Sequence, residues 1–336
     1  GASANIDKDM DLFVLFEFKR FYPTLFAEVF YLTRNKFEQK QYSVYPVDDN
    51  LKFRMIQFRF GARMPVKGIH SIESYVTWQR YRAFVKSSIL TNIPPIMFGT
   101  AYDYFRGITA GLNWKVKGLK RRAGFGYLPS KGFEAELHLS YEHNNFITGL
   151  DFSDSGTLLE EFSPNHTGKV ELSGTYNLEI PKTGGWMLST NTSIGYLSNS
   201  EVDSFFHFFA GGLPGMKGYP FYSIEGTKKG IETISLKIPI LKNYNIPIGV
   251  FTFQNSSLGC VYSIGDAWRQ KDKIEWKHSA GVELRFNGFS FYNYPTAISM
   301  EIHRGLSSFT NEIGGESLKF GGENQFYLSI LFGFNN

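Results

Sequence analysis

QFYLSILFGF, residues 325–334, places a large apolar side chain at every second position. Side chains two positions apart lie on the same face of a β-strand, so this period predicts a strand. Three other segments repeat it: EAELHLSYE (134–142), SAGVELRF (279–286) and ISMEIH (298–303). In these three the second face carries Glu, Arg or His in mid-strand. The apolar face of the first segment consists of Phe326, Leu328, Ile330, Phe332 and Phe334.

The composition favours a membrane barrel over a soluble β-protein. Aromatic residues make up 17% of the 336 residues, with 33 Phe and 19 Tyr, yet the mean hydropathy is −0.22. Apolar and polar residues are therefore interleaved, and no stretch approaches the roughly 20 continuous apolar residues of a transmembrane helix. A large aromatic face suits lipid, and a charged opposite face suits a wet lumen. The sequence predicts an all-β transmembrane antiparallel β-barrel, with a soluble all-β protein as the alternative.

Turn-rich segments such as PVDDN (46–50) and PKTGG (181–185) divide the chain into about 16 strands, a spacing that suits tilted spanning strands. We expect residues 1–10 to be a disordered or processed N-terminus and residues 11–336 to form the barrel. The predicted strands lie near 11–19, 24–34, 52–61, 71–82, 97–105, 108–117, 132–142, 168–180, 185–198, 231–239, 248–254, 258–264, 278–286, 296–304 and 325–334.

Several kinds of ligand are not expected. A net charge of +4 without a basic stripe argues against nucleic acid. The single cysteine, Cys260, rules out an internal disulfide framework and a multi-cysteine metal site. We predict no metal and no cofactor.

The segment SFFHFFAGGLPGMKGYPF (204–221) forms a long loop between the predicted strands 185–198 and 231–239. Glycine permits unusual backbone conformations and close approach to a wall. Four glycines in so short a loop predict a defined fold. We expect an extracellular loop that folds into the lumen, where Lys217 reaches the polar wall.

Phe209-Ala210-Gly211-Gly212 and Lys217-Gly218-Tyr219 resemble two motifs of the BamA/TamA superfamily, Phe-x-Gly-Gly and Arg-Gly-Phe/Tyr, in the sixth extracellular loop. Other landmarks follow in the family's order over residues 128–336. They are LPSKGFEAELHLSYE (128–142), SLKIP (235–239), VYSIGDAW (261–268), AGVELRF (280–286) and the last strand. The resemblance implies the C-terminal barrel domain of an outer-membrane assembly or secretion protein, located in the bacterial outer membrane.

The resemblance also implies a set of loop and wall residues. The lumen-loop motif comprises Gly211, Gly212, Met216, Lys217, Gly218 and Tyr219. In the family the loop Arg meets an acidic residue on each of two inner strands, but Ser235 and Ser263 stand at the matching positions here. We therefore expect Lys217 to meet either a socket of hydroxyl groups or another carboxylate. The candidate wall residues are Ser235, Lys237, Ser263, Glu283 and Glu301.

The family mechanism implies a weak lateral seam between the first and last strands. Its candidate residues are Phe13, Leu15, Leu331 and Gly333. The expected function is insertion, assembly or translocation of proteins at the outer membrane. The expected partners are outer-membrane lipid and lipopolysaccharide, substrate outer-membrane proteins, and accessory periplasmic or lipoprotein subunits.

Two other functions stay open at this point. The chain could be a membrane anchor or pore for a soluble domain that is absent from it. It could also be an outer-membrane enzyme built on His138 with Glu136, or on His303 with Glu301. The sequence contains no Gly-x-Ser-x-Gly elbow, His-Glu-x-x-His motif or phosphate loop. We therefore expect no catalytic residues and no enzymatic activity.

Overall fold

β-strands make up most of the computed structural model, which describes residues 2–4, 10–35, 50–66, 68–89, 96–120, 131–152, 158–202, 206–269, 272–291, 294–313 and 316–332. The strands of these residues are β1 Ala2–Ala4, β2 Met10–Phe18, β3 Thr24–Asn35, β4 Asn50–Val66, β5 His70–Ile89, β6 Ile96–Lys120, β7 Lys131–Phe152, β8 Leu158–Glu179, β9 Met187–Leu197, β10 Phe208–Phe209, β11 Glu225–Gly226, β12 Lys228–Leu241, β13 Ile246–Ile248, β14 Phe251–Trp268, β15 Lys277–Ser290, β16 Tyr294–Gly305, β17 Phe309–Ile313, β18 Glu316–Phe320 and β19 Asn324–Phe332. A short 3₁₀ turn covers Phe221–Ser223. No helix among the described residues has the length and apolarity needed to cross a membrane.

Within the described residues, fifteen strands form one large antiparallel sheet. Its hydrogen-bonded order runs from β1 through β9 and continues with β12, β14, β15, β16 and β19, while β13 pairs with β14. Two small pairs, β10 with β11 and β17 with β18, lie outside this order. The all-β prediction is confirmed.

The chain divides into two units. The first comprises residues 1–114, 138–169 and 312–316, and the second comprises residues 115–137, 170–311 and 317–336. In the first unit, β2, β3, β4 and β5 pair in sequence, and Ala2–Ala4 pairs with Met10–Leu12.

One face of the first unit's strands is polar and the other apolar. On the polar face, Arg59 donates to Glu73 at 2.5 Å, and Arg63 bridges Glu73 and Glu17 at 2.7 and 3.0 Å. On the opposite face Phe60 pairs directly with Val76, and these side chains are 59% and 51% exposed. Contiguous exposed apolar side chains of this size are typical of a surface that contacts another apolar medium.

The second unit shows the same division. Directly paired residues of adjacent strands point to the same face. Met300 pairs with Leu328 on the apolar face, where they are 51% and 68% exposed. The opposite face carries Lys, Glu, Ser and Tyr side chains and holds the candidate site.

Several predicted strands are too short, since β5 continues to Ile89, β7 continues to Phe152 and β8 begins at Leu158. Two predicted interruptions between strands are also wrong. Segments 97–105 and 108–117 belong to one strand, β6. Gly107 lies inside β6 and does not end it. A Cβ at this position would lie 2.4 Å from Oδ1 of Asn144 and 2.6 Å from the ring of Phe105. The glycine makes room for packed side chains instead of a turn.

The second error concerns the gap predicted between 248–254 and 258–264. Phe251–Trp268 is one strand, and its register with β15 shifts between Phe253 and Asn255. Asn255 is buried and accepts a hydrogen bond from Nδ2 of Asn287 at 3.0 Å. This irregularity breaks the period-two pattern without breaking the strand.

Candidate functional site

The segment 206–227, here called the glycine loop, folds back on itself through backbone hydrogen bonds. The amide of Met216 donates to the carbonyl of Ala210 at 2.7 Å, and that of Gly212 donates to the carbonyl of Tyr219 at 2.9 Å. Gly212 has φ +73°, and a Cβ there would lie 2.8 Å from Cα of Phe221. A side chain at this position would meet both backbone strain and a collision, so glycine is required.

A small apolar core attaches the glycine loop to the sheet. Ala210, Met216 and Tyr219 are fully buried and pack with Ile231 of β12 and Ala267 of β14. The enclosed Tyr219 hydroxyl has partners on the sheet side: it donates to the carbonyl of His278 at 2.7 Å and accepts from the amide of Ser307 at 3.1 Å. Because a buried hydroxyl without partners is costly, these bonds fix the position of the ring.

At Gly218 the backbone of the glycine loop touches the backbone of β16. A Cβ on Gly218 would lie 2.6 Å from the carbonyl carbon of Arg304 and 2.7 Å from the nitrogen of Gly305. A Cβ on Gly305 would in turn lie 2.5 Å from the ring of Tyr219. The two glycines therefore allow a closeness that no other residue pair would permit.

Lys217 lies above a row of directly paired residues on the polar face. The row runs across five strands and consists of Lys237, Gly259, Glu283, Glu301 and Tyr327. Glu283 and Glu301 stand opposite each other on β15 and β16. Like charges directly opposite on paired strands are destabilising.

Each of the two carboxylates has its own ammonium group. Nζ of Lys237 lies 3.6 Å from Oε2 of Glu283, within the sheet. Nζ of Lys217 donates to Oε2 of Glu301 at 2.5 Å, so the second ammonium comes from the glycine loop. Glu301 is only 7% exposed at its side chain, and burial strengthens this pair relative to a surface pair.

Two further side chains complete the contact. Tyr327 of β19 donates to the carbonyl of Lys217 at 2.9 Å. Nε2 of His303 lies 2.8 Å from Oε2 of Glu301. His303 faces Gly281 on β15, where a Cβ would lie 2.1 Å from Nδ1 of the imidazole, so glycine makes room for the ring.

The wall residues named from the sequence lie on this polar face, but they take different partners. Lys217 meets Glu301, while Glu283 pairs with Lys237. The Ser263 hydroxyl accepts a hydrogen bond from Thr233 at 2.9 Å. Ser235 lies on β12 opposite Val261.

Sequence reasoning missed one member of this site, Tyr327. The available signal was a tyrosine on the polar side of the last strand, two positions from Gln325. Of the two histidines considered for an enzyme, His303 belongs to the Glu301 cluster, and His138 lies 3.1 Å from the Tyr75 hydroxyl in the first unit.

The predicted lateral seam stays a prediction. Phe13 and Leu15 lie on β2 of the first unit, and Leu331 lies on β19 of the second. Gly333 lies outside the described residues. Within the described part of the chain, no group of three or more His, Cys, Asp or Glu side chains is arranged to hold a metal ion.

Two solved structures have a fold similar to this one. The crystal structure of BamA from Haemophilus ducreyi lacking POTRA domains 1–3 superposes with a TM-score of 0.60 and 14% identity, over 96% of this chain and 62% of that one. CdiB from Acinetobacter baumannii superposes with a TM-score of 0.51 and 12% identity, over 95% of this chain and 51% of that one.

The fold is BamA-like. This finding confirms, for the fold, the resemblance to BamA/TamA-type barrels inferred from the loop motifs. The chain spans less than two thirds of the length of either structure. No protein-family model matches the sequence, and neither does any curated protein.

A second charged cluster lies at the end of the glycine loop, on β11. Oε1 of Glu225 lies 2.6 Å from Nη2 of Arg269 and 3.8 Å from Nδ1 of the buried His207. His207 and then Arg269 lower the pKa of the Glu225 carboxyl below its ordinary value, against the opposing effect of burial. The ionised carboxylate therefore stabilises this end of the loop.

The Lys217–Glu301 pair predicts that removing the lysine alone costs more stability than removing both charges. Lys217→Met leaves Glu283 and Glu301 facing each other with one ammonium group, and we expect the free energy of unfolding to fall by about 1–3 kcal/mol. Adding Glu301→Gln removes the facing charge, so the double variant should recover part of that loss. The measurement is chemical unfolding in detergent micelles, followed by tryptophan fluorescence.

The control for this double-mutant cycle is Lys182→Met, which removes an exposed lysine in the turn between β8 and β9. It should change the free energy of unfolding by less than about 0.5 kcal/mol. If the double variant lost as much stability as the two single changes added together, the two side chains would not be coupled.

Glu225 gives a pH prediction. Because its pKa is lowered in the folded chain, its stabilising effect is complete above the ordinary value of 4.5 and is lost as the pH falls through the lowered pKa. Glu225→Gln should therefore flatten the decline of unfolding free energy below pH 4.5. Glu323→Gln, at an exposed turn, serves as the control and should keep the full decline. Equal slopes for Glu225→Gln and the unaltered chain would contradict this role.

Proposed function

We propose that the chain forms a closed barrel of about 16 strands in the bacterial outer membrane. We further propose that it takes part in inserting, assembling or translocating proteins there, without enzymatic activity or a cofactor. The observation that carries this proposal is the glycine loop, held on the polar face by the Lys217–Glu301 pair and the Gly218 backbone contact. The loop bears the motif on which the BamA/TamA resemblance rests.

The two faces of the sheet support the membrane part of the proposal. Phe326 and Leu328 of β19 are 74% and 68% exposed, while the same strand sends Tyr327 to the charged row. Burying apolar surface is worth roughly 25 cal/mol per Å², which makes lipid the favourable medium for this face. Charged rows such as that of Glu283 and Glu301 need water, as a lumen provides.

The contacts of the loop support the assembly part. The loop contacts β12 and β14 through its apolar core, β16 through Gly218, and β19 through Tyr327. In the proposed barrel β19 is one side of the lateral seam. A loop bonded to that strand braces the lumen and limits how far the seam opens when a substrate passes.

Cys260 tests the membrane part directly, because it is the only cysteine of the sequence and is exposed on the apolar face of β14. A fluorophore attached to Cys260 should be quenched strongly by brominated lipid tails after reconstitution. The matched control is Ser235→Cys with Cys260→Ser. Ser235 pairs with Val261, next to Cys260, and lies on the polar face. Equal quenching at the two positions would rule out the assignment of faces.

The assembly part is tested with vesicles that contain the reconstituted chain. We expect them to fold an added urea-denatured outer-membrane protein several-fold faster than empty vesicles do. Lys217→Met should reduce this acceleration, and Lys182→Met should leave it intact. If an inserted chain gives no acceleration, the result favours the alternative, a membrane anchor or pore for a soluble domain.

A further inference from the structure

In the first unit, the apolar face of β4 and β5 becomes basic over two residue pairs. The paired residues on this face run, in order, Phe60–Val76, Phe58–Trp78, Ile56–Arg80 and Arg54–Arg82. The change lies toward the start of β4 and the end of β5. Trp78 is 39% exposed and lies next to the change, as interfacial aromatic residues of membrane proteins do.

The last pair places two positive charges directly opposite each other. The guanidinium carbon of Arg54 lies 4.4 Å from the centroid of the Phe84 ring, and that of Arg82 lies 5.6 Å from the same centroid. The shared ring keeps both groups on the same patch. Two like charges directly opposite are unfavourable unless an anion lies near them.

The carboxylates of the patch are already engaged by other arginines. Asp103 is fully buried, and its Oδ2 lies 2.8 Å from Nε of Arg80 and 2.6 Å from Nη2 of Arg106. Arg106 also contacts Oε2 of Glu160 at 2.8 Å. Arg82 is only 3.9 Å from the other oxygen of Asp103. Arg80, Arg82 and Arg106 thus surround these two carboxylates, and Arg54, directly opposite Arg82, adds a fourth positive charge.

The buried Nε of Arg82 has no hydrogen-bond partner among the residues that the structure describes. An unpaired buried donor is costly, because it has lost water without gaining an acceptor. The nearest acceptor is Oδ1 of Asp103, 3.9 Å away, which also has no hydrogen-bond partner among the described residues. The patch therefore combines two directly opposed arginines with a position beside a broad apolar surface.

We propose that Arg54, Arg80 and Arg82 bind the phosphate group of an anionic lipid headgroup, and that the lipid tails cover Ile56, Phe58 and Trp78. Guanidinium groups match phosphate oxygens with two parallel hydrogen bonds, and a basic patch at a membrane surface attracts anionic lipid. The site rests on the proposed function, because it requires the apolar face to lie in a membrane.

The test compares thermal unfolding midpoints of the reconstituted chain in phosphatidylcholine and in phosphatidylcholine mixed with phosphatidylglycerol. We expect the anionic lipid to raise the midpoint by several degrees. Arg54→Gln with Arg82→Gln should abolish most of this rise. Lys182→Gln with Lys273→Gln removes the same charge from exposed turns and should preserve it.

A second variant covers the case in which the glutamine variant does not fold. Arg54→Lys with Arg82→Lys keeps both charges but removes the two-pronged geometry, so the lipid-dependent rise should shrink without vanishing. A full rise in this variant would overturn the proposed headgroup geometry in favour of general surface attraction.

The quenching of the Cys260 fluorophore by brominated tails reports insertion separately. A chain that is not quenched has not entered the bilayer, and the proposed function then fails. A quenched chain whose midpoint is equal in both lipids overturns the headgroup site alone. If inorganic phosphate added to phosphatidylcholine vesicles produces the same rise, the site takes phosphate from solution, and the lipid assignment is wrong.

Discussion

The site depends on one electrostatic constraint, the facing of Glu283 and Glu301 on neighbouring strands. Two ionised carboxylates on directly paired positions repel, and the low exposure of Glu301 prevents water from screening them fully. The sheet itself neutralises one of them with Lys237. The second is neutralised from outside the sheet by Lys217. The register of β15 against β16 thus leaves Glu301 in need of a cation, and the glycine loop supplies the ammonium group of Lys217.

The backbone geometry of the loop follows from that requirement. For Lys217 to reach Glu301, the next residue must pass within contact distance of the β16 backbone, which only a glycine at 218 allows. Tyr219 then enters the space beside Gly305 and uses its hydroxyl to bond His278 and Ser307. The charge pair, the backbone contact and the packing of the aromatic ring therefore all stabilise the same position of the loop. Each would be weaker alone, because ordering a long loop costs conformational entropy.

Alternation predicted the strands and their faces well, since it reflects the strand geometry itself. It also put Glu283 and Glu301 on the inward face, among the candidate wall residues, whereas Lys217 was named from the loop motif. It failed inside β6 and β14, where Gly107 fits against Phe105 and where the register shifts beside Asn255. It could not choose between Glu283 and Glu301 as the partner of Lys217. That choice depends on which residues face each other, and register is set by contacts between segments far apart in sequence.

Like charges on directly paired positions need a compensating charge, both at the glycine loop and at the arginine patch of the first unit. The two places differ in where that charge comes from. Arg54 and Arg82 face each other as Glu283 and Glu301 do, but the carboxylates of that patch are already shared with Arg80 and Arg106. An opposed pair on the polar face can be compensated by a loop of the same chain. A pair on the apolar face, beside Trp78, borders the medium that covers that face. On the proposed membrane-facing surface the compensating charge would come from that medium, as the phosphate of a lipid headgroup.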